Sequence, residues 1–273
     1  DGTYTGADAM IAPPPGLKGT PQAPITIRAE HEGAVLLDAQ HQGFAVLLGW
    51  HDGRSNDWFV VEGINATNGY ESIIRVAGSD SVVRRVVAWN GTSGAPTDGI
   101  SIVGYRARAE DCAVWGLNLR KPLQGSQAGN LQGAGYRRCW AEWNDHPETE
   151  QRPNNTLQIG YNSTNQLFEN LLLTWDTRGQ IGDTEGIIGA MTTNTAGKAN
   201  EVEGTRLLGS HSMFRKDGDH AFVDREGFRR QIEFEINVGN FVFSKNRLHC
   251  EAERRVALTR PLEVVQGTII PAL

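Results

Sequence analysis

The residues of this chain with the clearest capacity for acid–base chemistry are two pairs of carboxylates in its C-terminal third. Asp183 and Glu185 stand two residues apart, as do Asp217 and Asp219. Two neighbouring carboxyl groups can serve as general acid and general base, which is the chemistry of glycoside hydrolysis with inversion. The pairs therefore make a hydrolase one candidate class, provided that the fold brings the carboxylates to one surface.

Motifs for several other kinds of chemistry are missing from the sequence. His211, His220 and His249 do not have the spacing of zinc ligands. No Gly-x-Ser-x-Gly elbow, P-loop or dinucleotide-binding glycine motif occurs, which disfavours serine hydrolases and nucleotide enzymes. The net charge is −6, from 26 Lys and Arg against 32 Asp and Glu. This mildly acidic balance disfavours nucleic acid and anionic membranes as partners.

Any catalytic residues must be positioned by a repeat of short strand-forming segments, bounded by Gly, Asn, Asp or Ser. Six segments align, and their starts lie 23 to 34 residues apart: VVEGINATN from Val60, VRRVVAWNG from Val83, AEDCAVWGL from Ala109, YRRCWAEWN from Tyr136, FENLLLTWD from Phe168 and VEGTRLLGS from Val202. A second set of runs follows them: SIIRVAG, DGISIVGY, NTLQIGY and EGIIGAM. Two strands per repeat, with little helical periodicity, predict an all-β fold. The spacing indicates a right-handed parallel β-helix of roughly eight to nine coils, as one domain over residues 1–273.

Charge along the aligned segments supports this interpretation. The second position holds Arg84, Glu110, Arg137 and Glu169, and the third holds Glu62, Arg85, Asp111 and Arg138. Equivalent residues of successive coils stack about 4.8 Å apart. Opposite charges at that spacing support each other by about 0.2–1 kcal/mol per pair, whereas like charges repel. The alternation therefore predicts two ladders of ion pairs.

Cysteine and tryptophan recur in the same alignment. Cys112 and Cys139 share the fourth position, which predicts two buried free thiols on adjacent coils, within disulfide reach. Trp89 and Trp115 share the seventh position, and Trp143 shares the eighth with the tryptophan of the next repeat. We expect a nearly aligned aromatic column at the turn, which either packs the turn or forms a platform for stacking sugars.

The opening forty residues resemble the first coils of secreted right-handed parallel β-helix proteins. A GTY turn is followed by Gly-Thr-Pro-x-x-Pro-Ile-Thr-Ile and by a strand that ends at Asp-Ala, within DGTYTGADAMIAPPPGLKGTPQAPITIRAEHEGAVLLDAQ. Among enzymes, the resemblance is to polysaccharide lyases of the chondroitinase B and alginate lyase type. Polygalacturonase-like hydrolases, phage tailspikes and structural β-helices share this architecture, so the fold does not by itself decide the function.

This resemblance implies calcium as a cofactor. In these lyases calcium neutralises the uronate carboxylate and lowers the pKa of the adjacent C–H, and a basic side chain then removes the proton. The residues that stand where such ligands would be needed, at the starts of the second runs, are Asn155, Glu185 and Asp219, with Asp183 as a further donor. One calcium ion can bridge oxygen ligands on adjacent coils. In NTLQIGYNS, however, Asn155 replaces the Glu that is usual in the lyases.

The resemblance also implies a lysine and an arginine as base and acid. The candidates are Lys216, the neighbouring Arg215 and Arg178. Lys216 is favoured because it lies within three residues of both Asp217 and Asp219. None of the three stands in a close match to the lyases' own lysine and arginine motifs.

Two functions follow from this sequence. The first is a secreted or cell-surface protein that binds an acidic polysaccharide and cleaves it by calcium-assisted β-elimination. The alternative is a non-catalytic structural or adhesive subunit. The first coil begins almost at residue 1 and the chain ends in the apolar run PLEVVQGTIIPAL, so neither rim has a visible cap. Open rims can pair with another chain, so we expect either that caps were removed or that copies assemble end to end.

Overall fold

Short strands form almost all the regular structure of this chain. The computed structural model describes these residues: 1–6, 10–49, 55–95, 97–125, 131–144, 155–160, 163–177, 186–191, 206–208, 211–216, 242–244 and 247–249. Within these ranges the chain forms strands β1 to β25 in three large sheets and one two-stranded sheet. The described residues contain no helix long and apolar enough to span a membrane.

Sheet 1 contains nine strands, in the order in which they occur along the chain: β1 (Gly2–Thr5), β3 (Val35–Asp38), β6 (Ile64–Gly69), β9 (Val87–Gly91), β12 (Ala113–Trp115), β16 (Trp140–Asn144), β20 (Leu172–Thr177), β23 (His211–Lys216) and β25 (Arg247–His249). Sheet 2 contains six strands, again in chain order: β4 (Val46–Leu48), β7 (Ser72–Val76), β10 (Thr97–Ile102), β13 (Leu119–Gly125), β17 (Asn155–Gly160) and β21 (Gly186–Met191). Each strand pairs with its counterpart one coil away.

Sheet 3 contains eight strands: β2 (Ile25–Arg28), β5 (Phe59–Glu62), β8 (Val82–Arg84), β11 (Arg108–Glu110), β15 (Gly135–Arg137), β19 (Leu167–Glu169), β22 (Arg206–Leu208) and β24 (Val242–Ser244). The two-stranded sheet pairs β14 (Leu131–Gln132) with β18 (Ser163–Thr164). The chain passes from sheet 3 to sheet 1 to sheet 2 in each full coil, and the paired strands are parallel. This is the predicted right-handed parallel β-helix, and the strand numbers in the described residues agree with eight to nine coils.

A single residue turns the chain from sheet 3 into sheet 1. Its φ is positive in five successive coils, at Gly63 (72°), Arg85 (51°), Asp111 (55°), Arg138 (52°) and Asn170 (53°). Asn and Asp adopt this left-handed conformation more readily than most residues with a side chain. We call this position the left-handed corner.

The strand register corrects two details of the sequence alignment. Glu62 pairs with Arg84, one position away from the predicted place, so that the ladder in sheet 3 reads Glu62, Arg84, Glu110, Arg137, Glu169. The last segment is displaced too, because Arg206–Leu208, and not the residues from Val202, pairs with Leu167–Glu169. Several β-forming residues at each segment start allow more than one alignment, and only the corner position fixes the choice.

The predicted charge alternation is confirmed. Nε of Arg84 lies 2.5 Å from the Glu62 carboxylate, and Nε of Arg137 lies 3.0 Å from that of Glu169. At the left-handed corner, Arg138 donates to Asp111 and holds the pKa of that carboxyl below its usual value. Apart from the buried Glu62, these groups are partly exposed, so solvent and salt limit the contribution of most of these pairs to stability.

Aliphatic side chains fill the space enclosed by the three sheets, and the two predicted cysteines lie among them. Cys112 and Cys139 are buried free thiols. The pKa of Cys112 is raised mainly by burial and, to a smaller extent, by the neighbouring Cys139 thiol. The predicted tryptophan column is wrong in one respect. Trp115 pairs with Trp89, and Trp143 with Trp175, but Trp143 is buried whereas Trp89 and Trp115 lie partly open on the other face of sheet 1. Successive positions of a strand point to opposite faces, so two separate columns result.

Tyr136 ties the core of sheet 3 to sheet 2. Its ring is fully buried against Phe168, and its hydroxyl lies 2.7 Å from both the Ile100 and the Gln124 carbonyl oxygens. We expect Tyr136→Phe to lower the free energy of unfolding by about 1–2 kcal/mol, because a buried carbonyl loses its donor. Urea unfolding followed by circular dichroism measures this change. Tyr4→Phe, which alters an exposed hydroxyl, is the control, and equal midpoints for the two variants would contradict the assignment.

Candidate functional site

The outer face of sheet 2 carries a row of polar side chains that are buried. Arg75, Ser101, Gln124 and Gln158 occupy one register position on four successive strands, and we call them the arginine row. Their neighbours along each strand, among them Ile74, Ile100 and Leu123, belong to the hydrophobic core. Because side chains alternate between the faces of a strand, the arginine row points away from the core. Each of its members is nevertheless less than 5% exposed.

A second polar row lies near the starts of the strands of sheet 2, two residues before the core residues Ile74, Ile100 and Leu123, and so on the core side of the sheet by the same alternation. Ser72 pairs with Asp98, and Asp98 pairs with Lys121. Asn155 stands two residues before Leu157, as Lys121 stands two residues before its partner Leu123. These four residues, Ser72, Asp98, Lys121 and Asn155, form the lysine row, and all four are buried. The register slips by one residue where β10 meets β13, between Thr97 and Asp98, so a bulge occurs where the two rows approach each other.

Asp98 is the centre of the contacts between the two rows. Its Oδ1 accepts hydrogen bonds from Nη2 of Arg120 at 3.1 Å and from Nε of the same residue at 3.3 Å. Oδ2 lies 3.5 Å from the Ser101 hydroxyl, which also accepts a hydrogen bond from Ser72 at 3.2 Å. The Gln124 amide also faces this carboxylate, and it donates to Asp98 when it is oriented with its nitrogen toward the carboxylate oxygens. One carboxylate thus contacts side chains of β10 and β13 directly, and Ser72 of β7 through Ser101.

The cluster holds more positive than negative charge. Arg75, Arg120 and Lys121 surround the buried Asp98, and the Glu71 carboxylate lies 3.8 Å from Nη1 of Arg75. Burial lowers the pKa of Lys121 to about 8, with a smaller lowering from Arg120 and an opposing effect of Asp98. Burial likewise lowers the pKa of Arg75, against the attraction of Glu71 and Asp98. A lysine with such a pKa is partly neutral near pH 8 and can accept a proton.

The cluster opens to solvent at one edge. The side chain of Arg120 is 15% exposed and that of Glu71 is 54% exposed, whereas Lys121 and Asp98 are almost fully covered. A ligand therefore meets Arg120 and Glu71 first. The excess of cations inside suits a ligand that brings a negative charge.

The structure places the predicted site residues in three groups. Asn155 lies in the lysine row, two coils from Asp98. Arg215 and Lys216 are the last residues of β23 in sheet 1, where they pair with Asp176 and Thr177, so they stand on a different sheet from Asn155. The other candidates lie outside the described residues: Arg178, Asp183, Glu185 and Asp219.

Sequence reasoning missed Arg120 and Lys121. They lie on β13, whose segment LRKPLQG was not recognised as a strand because two cations and Pro122 interrupt its apolar pattern. One signal was available. DGISIVGY and NTLQIGY start 57 residues apart, about two repeats, so a strand of sheet 2 had to lie between them.

The described residues around Asn155 do not suit calcium. A calcium site takes six to eight oxygen ligands, several of them carboxylates. Asn155 supplies a side-chain amide, and the residue in the corresponding position on the preceding coil is Lys121, a cation. We therefore derive no chemical step through an ion.

Similarity to known proteins is weak. No protein-family model matches the sequence, and no curated protein matches it. Among solved structures, pectate lyase Pel9A is 12% identical over 82% of this chain and 68% of its own, with a TM-score of 0.39. Alginate lyase from Paenibacillus sp. str. FPU-7 is 10% identical over 99% and 88%, with a TM-score of 0.38. A pectin methylesterase in complex with a hexasaccharide is 12% identical over 89% and 84%, with a TM-score of 0.36. At these values the likenesses say nothing of the activity of this chain.

Proposed function

We propose that this protein binds an acidic polysaccharide at the charged cluster of sheet 2, whose open edge is marked by Arg120 and Glu71, and cleaves it by β-elimination. The observation that carries the proposal is the buried cluster of Arg75, Arg120 and Lys121 around Asp98, in which the pKa of Lys121 falls to about 8. A polyuronate offers a carboxylate that the guanidinium group of Arg120, at the open edge of the cluster, can bind. It also offers a proton next to that carboxylate, for which a neutral lysine is a suitable acceptor.

In the proposed reaction, Arg120 and Arg75 hold the uronate carboxylate and stabilise the negative charge that develops on it. Lys121 Nζ takes the proton from the ring carbon that bears the carboxylate. The electrons of that C–H bond form a carbon–carbon double bond, and the bond from the neighbouring carbon to the glycosidic oxygen breaks. The departing oxygen takes a proton from water. Asp98 orients Arg120 by accepting its three hydrogen bonds and does not itself exchange a proton.

Calcium and an extracellular location belong to the proposal as conditions to be tested. The opening residues resemble calcium-dependent lyases, and Asn155 is the predicted ligand that lies in the cluster. Assays in EDTA and in calcium chloride test the need for the ion directly. A calcium requirement would assign ligands from outside the described part of the chain.

The proposal is tested by incubating the protein with alginate, pectate and chondroitin sulfate at pH 7 to 9, while recording the ultraviolet absorbance of the unsaturated product. We expect product from at least one polymer, and a rate that rises as pH approaches 8 because neutral Lys121 accumulates. Lys18→Ala is a matched control, since Lys18 is an exposed lysine paired with Asp57. Absence of both product and binding with all three polymers would overturn the proposal and favour the structural subunit.

A further inference from the structure

Three tryptophans form a stack on the outer face of sheet 1, away from the cluster on sheet 2. Trp89, Trp115 and Trp140 come from β9, β12 and β16, three successive coils. The ring centroids of Trp89 and Trp115 are 6.0 Å apart, with 16° between the planes. Those of Trp115 and Trp140 are 5.4 Å apart, with 30° between the planes. All three side chains are half-buried, so part of each remains open to solvent.

The centroid distances show how much of each ring face is covered. Aromatic rings in contact are separated by about 3.5–4 Å. Centroids 5.4 to 6.0 Å apart exceed that separation, so neighbouring rings are offset and do not lie fully face to face. The three rings form an offset stack, in which part of each ring is not covered by its neighbours. Exposed aromatic faces in a line are what the C–H groups of a pyranose chain pack against.

Neighbouring residues fix the stack before any ligand arrives. Nε1 of Trp140 donates to the Thr174 hydroxyl at 3.3 Å, so one ring is held by a hydrogen bond. Trp140 pairs with Ala113, a small residue that leaves room for its ring to lean toward Trp115. A rigid platform loses little conformational entropy on binding, which favours affinity.

The charges around the stack select the ligand. Asp38 and Thr67 precede Trp89 in the same register row, and Glu142 stands two residues after Trp140 on the far side of Trp115. A carboxylate thus stands toward each end of the stack, and Glu142 accepts a hydrogen bond from Asn144 at 2.6 Å. Arg138, which stands two residues before Trp140, is already paired with Asp111, so it offers an anionic polymer little, whereas the hydroxyl groups of an uncharged sugar can donate to the carboxylates.

We propose that Trp89, Trp115 and Trp140 form a second binding site, for an uncharged linear polysaccharide. The site differs from the cluster on sheet 2 in its sheet, in its chemistry and in the charge of its ligand, and it does not depend on the activity of that cluster. A β-1,4-linked glucan fits best, because its hydroxyl groups are equatorial and both faces of each ring present C–H groups.

The test is isothermal titration of the full chain with cellohexaose. We expect binding by the unmodified protein and binding about tenfold to hundredfold weaker in Trp115→Ala, the usual effect of removing one aromatic stacking partner. Trp115→Tyr should retain most of the affinity. Tyr105→Ala, which removes another exposed aromatic ring, from the turn between sheets 2 and 3, should bind as the unmodified protein does.

Since Trp115 packs between two rings, the urea midpoint of each variant is measured first. Trp89→Ala, at the end of the stack, is the second variant, because it removes one ring contact instead of two. The proposal is overturned if cellohexaose does not bind to the unmodified protein. It is overturned equally if Trp115→Ala and Trp89→Ala both bind cellohexaose as tightly as the unmodified protein does. It is also overturned if these variants lose binding of hexagalacturonate, or if the tryptophans prove necessary only for self-association in sedimentation experiments. Hexagalacturonate binding alone reports on the site of sheet 2, so the two proposals fail separately.

Discussion

Lys121→Met is expected to abolish the proposed β-elimination and, at neutral pH, to make the protein more stable. Loss of a general base costs about 10²–10⁴-fold in rate. The gain in stability has a separate cause, since the pKa of Lys121 is about 8 in the folded protein against an ordinary 10.5. This difference corresponds to at most about 3 kcal/mol of destabilisation by the buried ammonium group. Methionine fills the same space without a charge.

The sign of the pH dependence follows from the same shift. Between about pH 8 and 10.5 the unfolded chain keeps the proton of Lys121 and the folded chain has released it. The unfolded state therefore binds more protons, and the free energy of unfolding of the unmodified protein rises with pH across this window. Lys121→Met should lack this rise. Urea unfolding at pH 7, 8, 9 and 10 measures the slope, and Lys18→Met is the matched control. Equal slopes in the unmodified protein and in Lys121→Met would show that Lys121 is not the titrating group.

Asp98→Ala is expected to lower the free energy of unfolding by roughly 3–5 kcal/mol, because it leaves buried cations without their counter-ion. Asp98 is 1% exposed and accepts three hydrogen bonds from Arg120. The pKa of Lys121 should fall further as well, since Asp98 is the group that raises it.

Asp111→Ala provides the comparison for Asp98→Ala. Asp111 also accepts hydrogen bonds from an arginine, Arg138, but its side chain is 40% exposed. An exposed ion pair contributes about 0–1 kcal/mol, so this variant should lose little stability. Urea midpoints measured side by side separate the two cases. A similar loss in both variants would mean that burial of Asp98 carries no special weight.

The fold could be predicted from the sequence because a β-helix repeats its physical requirements in every coil. Strand-forming runs, turn residues and alternating charges at Arg84, Glu110 and Arg137 recur at a fixed place in each repeat, so many weak signals combine. The exact register could not be predicted at Glu62, where adjacent valines permit two alignments.

The candidate site was harder to predict because its residues break the pattern that reveals the fold. Lys121 and Arg120 occupy a strand whose composition disfavours a strand, and only their enclosure by neighbouring coils makes them buried and shifts the pKa of Lys121. The prediction of a single tryptophan column was wrong for another reason. Positions seven and eight of a segment face opposite sides of the sheet, and sequence similarity does not show which position points inward.

The left-handed corner bears on how such a protein can change. Two residues join the strands at each of these corners, and the first of them, Asp111, Arg138 or Asn170, has a positive φ. An insertion of one residue there would shift every later side chain of the coil to the opposite face. The connections that lead into sheet 2, in contrast, vary in length from coil to coil. Two residues join β6 to β7, three join β12 to β13, and ten join β16 to β17. Insertions are therefore best accommodated next to the charged cluster of sheet 2, where evolution or design can add contacts to a ligand. The left-handed corner meanwhile keeps the coils in register.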